Sequence, residues 1–191
     1  MQLPYLNASL DNDNPVAKVF WGRVELERAG ALFYYKKNSI VQALLHDFKY
    51  KNSEAIGKIF GGEMGDVLVK NQAIFNAIVP VPLHPKKQKK RGYNQSEILA
   101  EAIADKLKIP ILKNALVKQS HTSTQTKKNR NDRWDNTAEK FVLGNVPFPE
   151  NILLVDDVIT TGATLDFCAN LIREAYPETK ISVFALAYTY R

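Results

Sequence analysis

Thirteen residues, Ile152 to Thr164, constrain the fold more than any other part of the chain. Ile152-Leu153-Leu154-Val155 is a short apolar run, the pattern of a strand covered on both faces. Asp156 and Asp157 follow at its C-terminal end, where open α/β sheets bind ligands. Val158-Ile159-Thr160-Thr161-Gly162-Ala163-Thr164 then leads into a helix expected over 165–176. Backbone N–H groups in such a loop, with a helix N-terminus behind them, form an anion site. Gly162 lets the backbone approach a phosphate, and the hydroxyls of Thr160, Thr161 and Thr164 add donors. A carboxylate repels a phosphate, so the aspartate pair must face a neutral part of the same ligand. Ribose hydroxyls fit, because an ionised carboxylate only accepts hydrogen bonds and a hydroxyl donates one. One sugar phosphate therefore accounts for both halves: Asp156 and Asp157 on the ribose, Thr160, Thr161, Gly162, Ala163 and Thr164 on the 5′-phosphate. The simpler alternative is a strand, turn and helix with acidic residues at the turn. Receiver domains of response regulators also have a strand ending in two aspartates, but there the strand opens the domain. Here only 34 residues follow Asp157, too few to complete that fold.

The rest of the chain supplies a matching scaffold. Arg28 to Tyr35 suits a strand, and Ser39 caps a helix carrying Ile40, Val41, Leu44, Leu45 and Phe48. A second helix is expected from about Ser53 to Val69, weakened by Gly61-Gly62. After Asn71 come an apolar run at Ile74 to Val81, a basic segment at His84 to Arg91, and a helix capped by Asn94 with Glu97 at its third position. A short strand is expected within 110–117 and another at Phe141 to Leu143; a last strand spans Ile181 to Ala187. Between them, residues 118–140 are polar and lack apolar periodicity, which reads as a long functional loop. Strands alternating with helices predict an α/β fold with a mainly parallel sheet flanked by helices. Residues 1–70 are expected to form an N-terminal layer of the same domain, and 71–191 its core.

The net charge of +6 favours an anionic partner. Lys86, Lys87, Lys89, Lys90 and Arg91 cluster directly after Val79-Pro80-Val81-Pro82-Leu83-His84. Cations following a core strand are placed to neutralise a pyrophosphate, and Pro82, Leu83, His84, Lys87 and Arg91 are the candidate loop. Lys127, Lys128, Arg130 and Arg133 form a second basic group. Cys168 is the only cysteine, so neither an intrachain disulfide nor a cysteine zinc site can form. His46, His84 and His121 are too scattered for a metal constellation. No apolar run has the length of a membrane helix, and the N-terminus lacks a signal-peptide pattern, so a cytoplasmic location is expected.

The segment Ile152 to Thr164 resembles the binding motif of type I phosphoribosyltransferases. Val79-Pro80-Val81-Pro82-Leu83-His84, the basic run and Arg91-Gly92-Tyr93-Asn94-Gln95-Ser96-Glu97 look like the ComF family of phosphoribosyltransferase-like proteins. So do Phe20-Trp21-Gly22-Arg23, His46-Asp47-Phe48-Lys49-Tyr50, and the pattern Gln125, Arg133, Asn136 and Phe141. This resemblance implies a type I phosphoribosyltransferase fold with residues 1–70 as a small hood. It implies binding of 5-phosphoribosyl-1-pyrophosphate (PRPP), or another ribose 5-phosphate ligand, together with Mg²⁺ held through the ligand. Loop 118–140, with Gln125 and Arg133, would close over the site, and an acceptor nitrogen would displace pyrophosphate. The alternative is a non-catalytic adaptor in DNA uptake, with single-stranded DNA or competence proteins as partners; a homodimer is also open. ComF-like chains often carry a cysteine-rich zinc module ahead of this domain, and none lies within these residues. An amidophosphoribosyltransferase role would need a glutamine-hydrolysing domain with an N-terminal cysteine nucleophile, also absent from the sequence. The resemblance names no acceptor and no general base.

Overall fold

The structure, a computed structural model, describes residues 5–6, 10, 13–51, 53–119 and 140–189. Its elements run α1 (Pro15–Lys18), β1 (Arg28–Tyr35), α2 (Ile40–Tyr50), α3 (Glu54–Lys70), β2 (Ala77–Pro80), α4 (Pro85–Arg91), α5 (Gln95–Leu107), β3 (Leu116–Gln119), β4 (Lys140–Leu143), β5 (Asn151–Ile159), α6 (Ala163–Ala175) and β6 (Lys180–Thr189). The main sheet has the order β1-β6-β5-β2, with every pair parallel. β3 and β4 form a separate antiparallel pair. The expected α/β class with a mainly parallel sheet is the class observed.

A parallel sheet needs cover on both faces. The period of two along β5 supplies it: Ile152 and Leu154 pack with α1 and α6, while Leu153 and Val155 pack with α2, α3 and α5. Phe48, Met64, Leu99, Ile103 and Phe184 are fully buried in the second layer. Each such side chain contributes about 1.5–3 kcal/mol through its burial.

β1 pairs along β6 from Arg28↔Ser182 to Tyr35↔Thr189, which puts it in the main sheet. A strand from residues 1–70 thus lies in the same sheet as the last strand of the chain. Gly61 has a packing role that the expected weak helix lacks. A Cβ there would lie 2.6 Å from Ala102 Cβ and 2.8 Å from the Leu99 carbonyl oxygen. With Gly57 and Gly65, at spacings of four along α3, it forms the groove that seats α5. The basic run, expected as a loop, is the helix α4. Pro85 stands in its first turn, His84 Nδ1 accepts from the Lys86 N–H at 3.2 Å, and Gly92 closes it at φ +88°. The long loop lies outside the described residues over 120–139; β3 and β4 flank it.

Candidate functional site

β5 outruns its neighbour on one side, and this difference creates the site. Toward β2 the register ends at Pro80↔Val155, with one further bond from the Val81 N–H to the Val155 carbonyl at 2.9 Å. Toward β6, pairing continues to Ile159↔Tyr188. Asp156 and Asp157 therefore belong to a strand longer than the Ile152–Val155 run, but stand beyond the last pairing with β2. The chain from Val81 turns away there, and Asn94 holds it: Nδ2 donates to the Val81 carbonyl at 3.0 Å while Oδ1 caps α5 by accepting from the Ser96 N–H at 3.1 Å.

The resulting cavity, about 240 Å³, is strongly polar. Its wall brings together Asp156, Asp157 and Thr164 with Pro82, Leu83, Lys87 and Arg91 from the β2–α4 side. Lys49, Asn94, Gln95, Ser96 and Lys118 complete it. Asp156 Oδ1 accepts from Ser96 Oγ at 3.1 Å and from the Asp157 N–H at 2.8 Å. Burial, and then the negative charge of Asp157, push the Asp156 carboxyl up to about 7, against the opposing effect of these hydrogen bonds and of Lys49. Lys49 Nζ, from α2, pairs with Asp157 Oδ2 at 2.8 Å, and both side chains are largely buried. Arg91 is held by Gln95, whose Oε1 accepts from Nη1 at 2.8 Å, and its guanidinium lies 5.2 Å from the centre of the Tyr50 ring. The Tyr93 hydroxyl donates to the Phe48 carbonyl, fastening α2 to the start of α5.

Beyond β5 the chain enters α6 through Gly162, which sits at φ +73° as the N-cap. A glycine offers no capping side chain of its own to this 13-residue helix. Thr161 Oγ1 accepts from the Ala163 N–H at 3.4 Å. Thr160 lines a second cavity of about 530 Å³ with Tyr35, Gln42, Leu45, His46 and Tyr50. Lys49, Asp157 and Val158 border both cavities. His84 is not part of either wall; it caps α4. Cys168 is buried against the sheet, and its thiol is pushed strongly upward by burial, as suits a packing residue. Gln125, Arg133 and Asn136 lie outside the described residues.

Sequence reasoning missed Lys49, Ser96 and Lys118. Lys49 and Ser96 stood in quoted motifs, and the signal available was their place there. Lys118 carried no local signal.

No family model matches the chain. The chain is 41% identical to competence protein F of Haemophilus influenzae over 114 residues, covering 58% of this chain and 49% of that protein. It is 29% identical to competence protein ComFC of Bacillus subtilis over 153 residues, covering 80% of this chain and 61% of that protein. The chain thus spans about half to three fifths of the length of these relatives. Among solved structures, a glutamine PRPP amidotransferase from B. subtilis complexed with ADP and GMP shares 18% identity, with a TM-score of 0.48 over 73% of this chain and 30% of that one. The chain is thus similar in sequence to competence protein F and ComFC.

Proposed function

We propose that this protein binds PRPP and transfers its phosphoribosyl group to a nitrogen acceptor, releasing pyrophosphate. The observation that carries the reading is one polar cavity shared by the aspartate pair of β5, the first turn of α6 and the cations beside β2. The ribose hydroxyls donate to Asp156 and Asp157. Amides and hydroxyls of residues 160–164 take the 5′-phosphate, and Lys87 and Arg91 take the pyrophosphate. The acceptor nitrogen attacks the anomeric carbon as the carbon–oxygen bond breaks, and the electron pair leaves with pyrophosphate. Positioning and charge stabilisation then supply most of the rate. The second cavity, open to Asp157 and walled by Tyr35, Leu45 and Tyr50, is the place for the acceptor.

Mg²⁺ would enter with the ligand, beside an aspartate pair in which Lys49 Nζ already pairs with Asp157 Oδ2 at 2.8 Å. The ion would be held by pyrophosphate and ribose oxygens and by waters, where it offsets the charge of the leaving group. A screen of nitrogen bases for pyrophosphate release, with PRPP and Mg²⁺ present, tests transfer. Release that depends on a particular base supports it; PRPP binding with no release by any base favours a ligand-sensing role.

A second reading has its own observation. α4 presents Lys86, Lys89 and Lys90 to solvent in a chain of net charge +6, and the relatives are competence proteins. An adaptor that meets single-stranded DNA through this helix must lose affinity steeply as salt rises.

A further inference from the structure

The segment Phe20-Trp21-Gly22-Arg23 has no part in either cavity described above, yet it reaches the phosphate loop from behind. Arg23 Nη1 donates to the Thr161 carbonyl at 2.7 Å and to the Val19 carbonyl at 3.2 Å. Nη2 pairs with Asp166 Oδ2 at 2.7 Å in the first turns of α6. One guanidinium thus joins the N-terminal segment, the loop and the helix across 138 positions of sequence.

We propose that Arg23 is a positioning residue that sets the anion-binding state of loop 160–164. This rests on the reading that the loop takes a phosphate. The peptide between Thr161 and Gly162 is trans and planar, as no cis bond occurs, so its carbonyl and N–H point in opposite directions. Anchoring the Thr161 carbonyl on Arg23 therefore aims the Gly162 N–H away from Arg23. Arg23 also neutralises Asp166, whose carboxylate would otherwise repel a phosphate at the same helix end.

The support behind Arg23 is itself fixed. Asn14 Oδ1 caps α1 through the Val16 and Ala17 N–H groups at 2.8 and 3.0 Å, and its Nδ2 donates to the Ala29 carbonyl of β1 at 2.7 Å. Phe20 is buried. Val19 and Phe20 press on the loop so closely that a Cβ on Gly162 would meet Val19 Cγ1 at 2.7 Å and Phe20 Cε1 at 3.0 Å. The side chain at position 162 is therefore excluded by the supporting segment.

A control contact lies alongside. Arg173, also on α6, donates to the Glu25 carbonyl at 3.2 Å and pairs with Glu25 Oε2 at 2.8 Å, tying the same segment to the same helix without touching the loop. The experiment compares Arg23→Ala, Arg23→Lys and Arg173→Ala. Hydrogen exchange of the 161–164 amides is measured without ligand, and ribose 5-phosphate is titrated calorimetrically. Removing Arg23 is expected to speed exchange of these amides and to weaken ribose 5-phosphate binding by about tenfold or more, the loss of hydrogen bonds from a charged donor. Arg23→Lys retains charge but not the fork and should fall between. Arg173→Ala should do neither, even with a comparable loss of melting temperature. Loop exchange in Arg23→Ala no faster than in Arg173→Ala would overturn the proposal. If the unaltered protein binds no ribose 5-phosphate, the phosphate reading fails, while the exchange comparison still decides whether Arg23 holds the loop.

Discussion

Asp156→Asn should make the protein more stable at pH 8 while weakening donor binding. The carboxyl keeps its proton to about pH 7 in the folded chain, against an ordinary 3.8. The folded state therefore binds this proton more tightly than the unfolded state. The stabilising contribution of the proton is fully present below about pH 4 and is lost as pH rises to 7 and beyond. At 1.36 kcal/mol per pKa unit, the unattenuated cost at pH 8 is about 4 kcal/mol. Asp156 is half-buried at the strand end, where solvent screens part of this cost, so about 1–2 kcal/mol is expected to survive. Asparagine keeps an oxygen to accept from Ser96 and from the Asp157 N–H without carrying charge. Urea unfolding at pH 5 and pH 8 is the assay. The variant's advantage over the unaltered protein should be small at pH 5 and grow by pH 8. A difference that does not change with pH, or a variant less stable at pH 8, would refute the claim that the strand end holds a carboxylate against its preference.

Three further outcomes follow from the packing and charges. Lys49→Met removes the cation that lowers the Asp156 carboxyl, so the pH window of falling stability should move upward; urea titrations across pH 5–9 would read this. Gly162→Ala should cost about 1–3 kcal/mol, because φ is +73° and the new Cβ meets Val19 and Phe20; an unchanged urea midpoint contradicts this. Gly61→Val should cost about 1–3 kcal/mol or more by prising α5 from α3, measured as a fall in melting temperature, whereas Gly62→Ala, whose Cβ has only the end of Lys106 nearby, should be neutral or slightly stabilising.

The parts of this fold legible in the sequence are those set by local chemistry. Arg28–Tyr35 is a strand over the residues expected, and Ser39 and Asn94 cap the helices they were expected to cap. Even here one partner moved: Gln42 Oε1 accepts from the Asn38 N–H at 2.6 Å, not from the Ser39 N–H that a capping box would use. The cationic run carries no helical periodicity, because its charges hide any apolar face. Its helical signals were Pro85 and Gly92 at the two ends, not periodicity. Long-range placement was beyond local reading. Nothing near Lys49 says that it will meet Asp157, and nothing near Arg23 says that it will meet Thr161. The sheet order likewise puts β1 beside β6, the last strand, which only tertiary packing decides.

The central claim is that the cavity at the end of β5 is a PRPP site, and calorimetric titration of PRPP with Mg²⁺ tests it most directly. The unaltered protein should bind with saturable heat. Asp156→Asn combined with Asp157→Asn should bind at least about tenfold more weakly while unfolding cooperatively, because two hydrogen-bond acceptors of the ribose lose their charge. No saturable binding by the unaltered protein, or equal affinity in the double variant, would contradict the account.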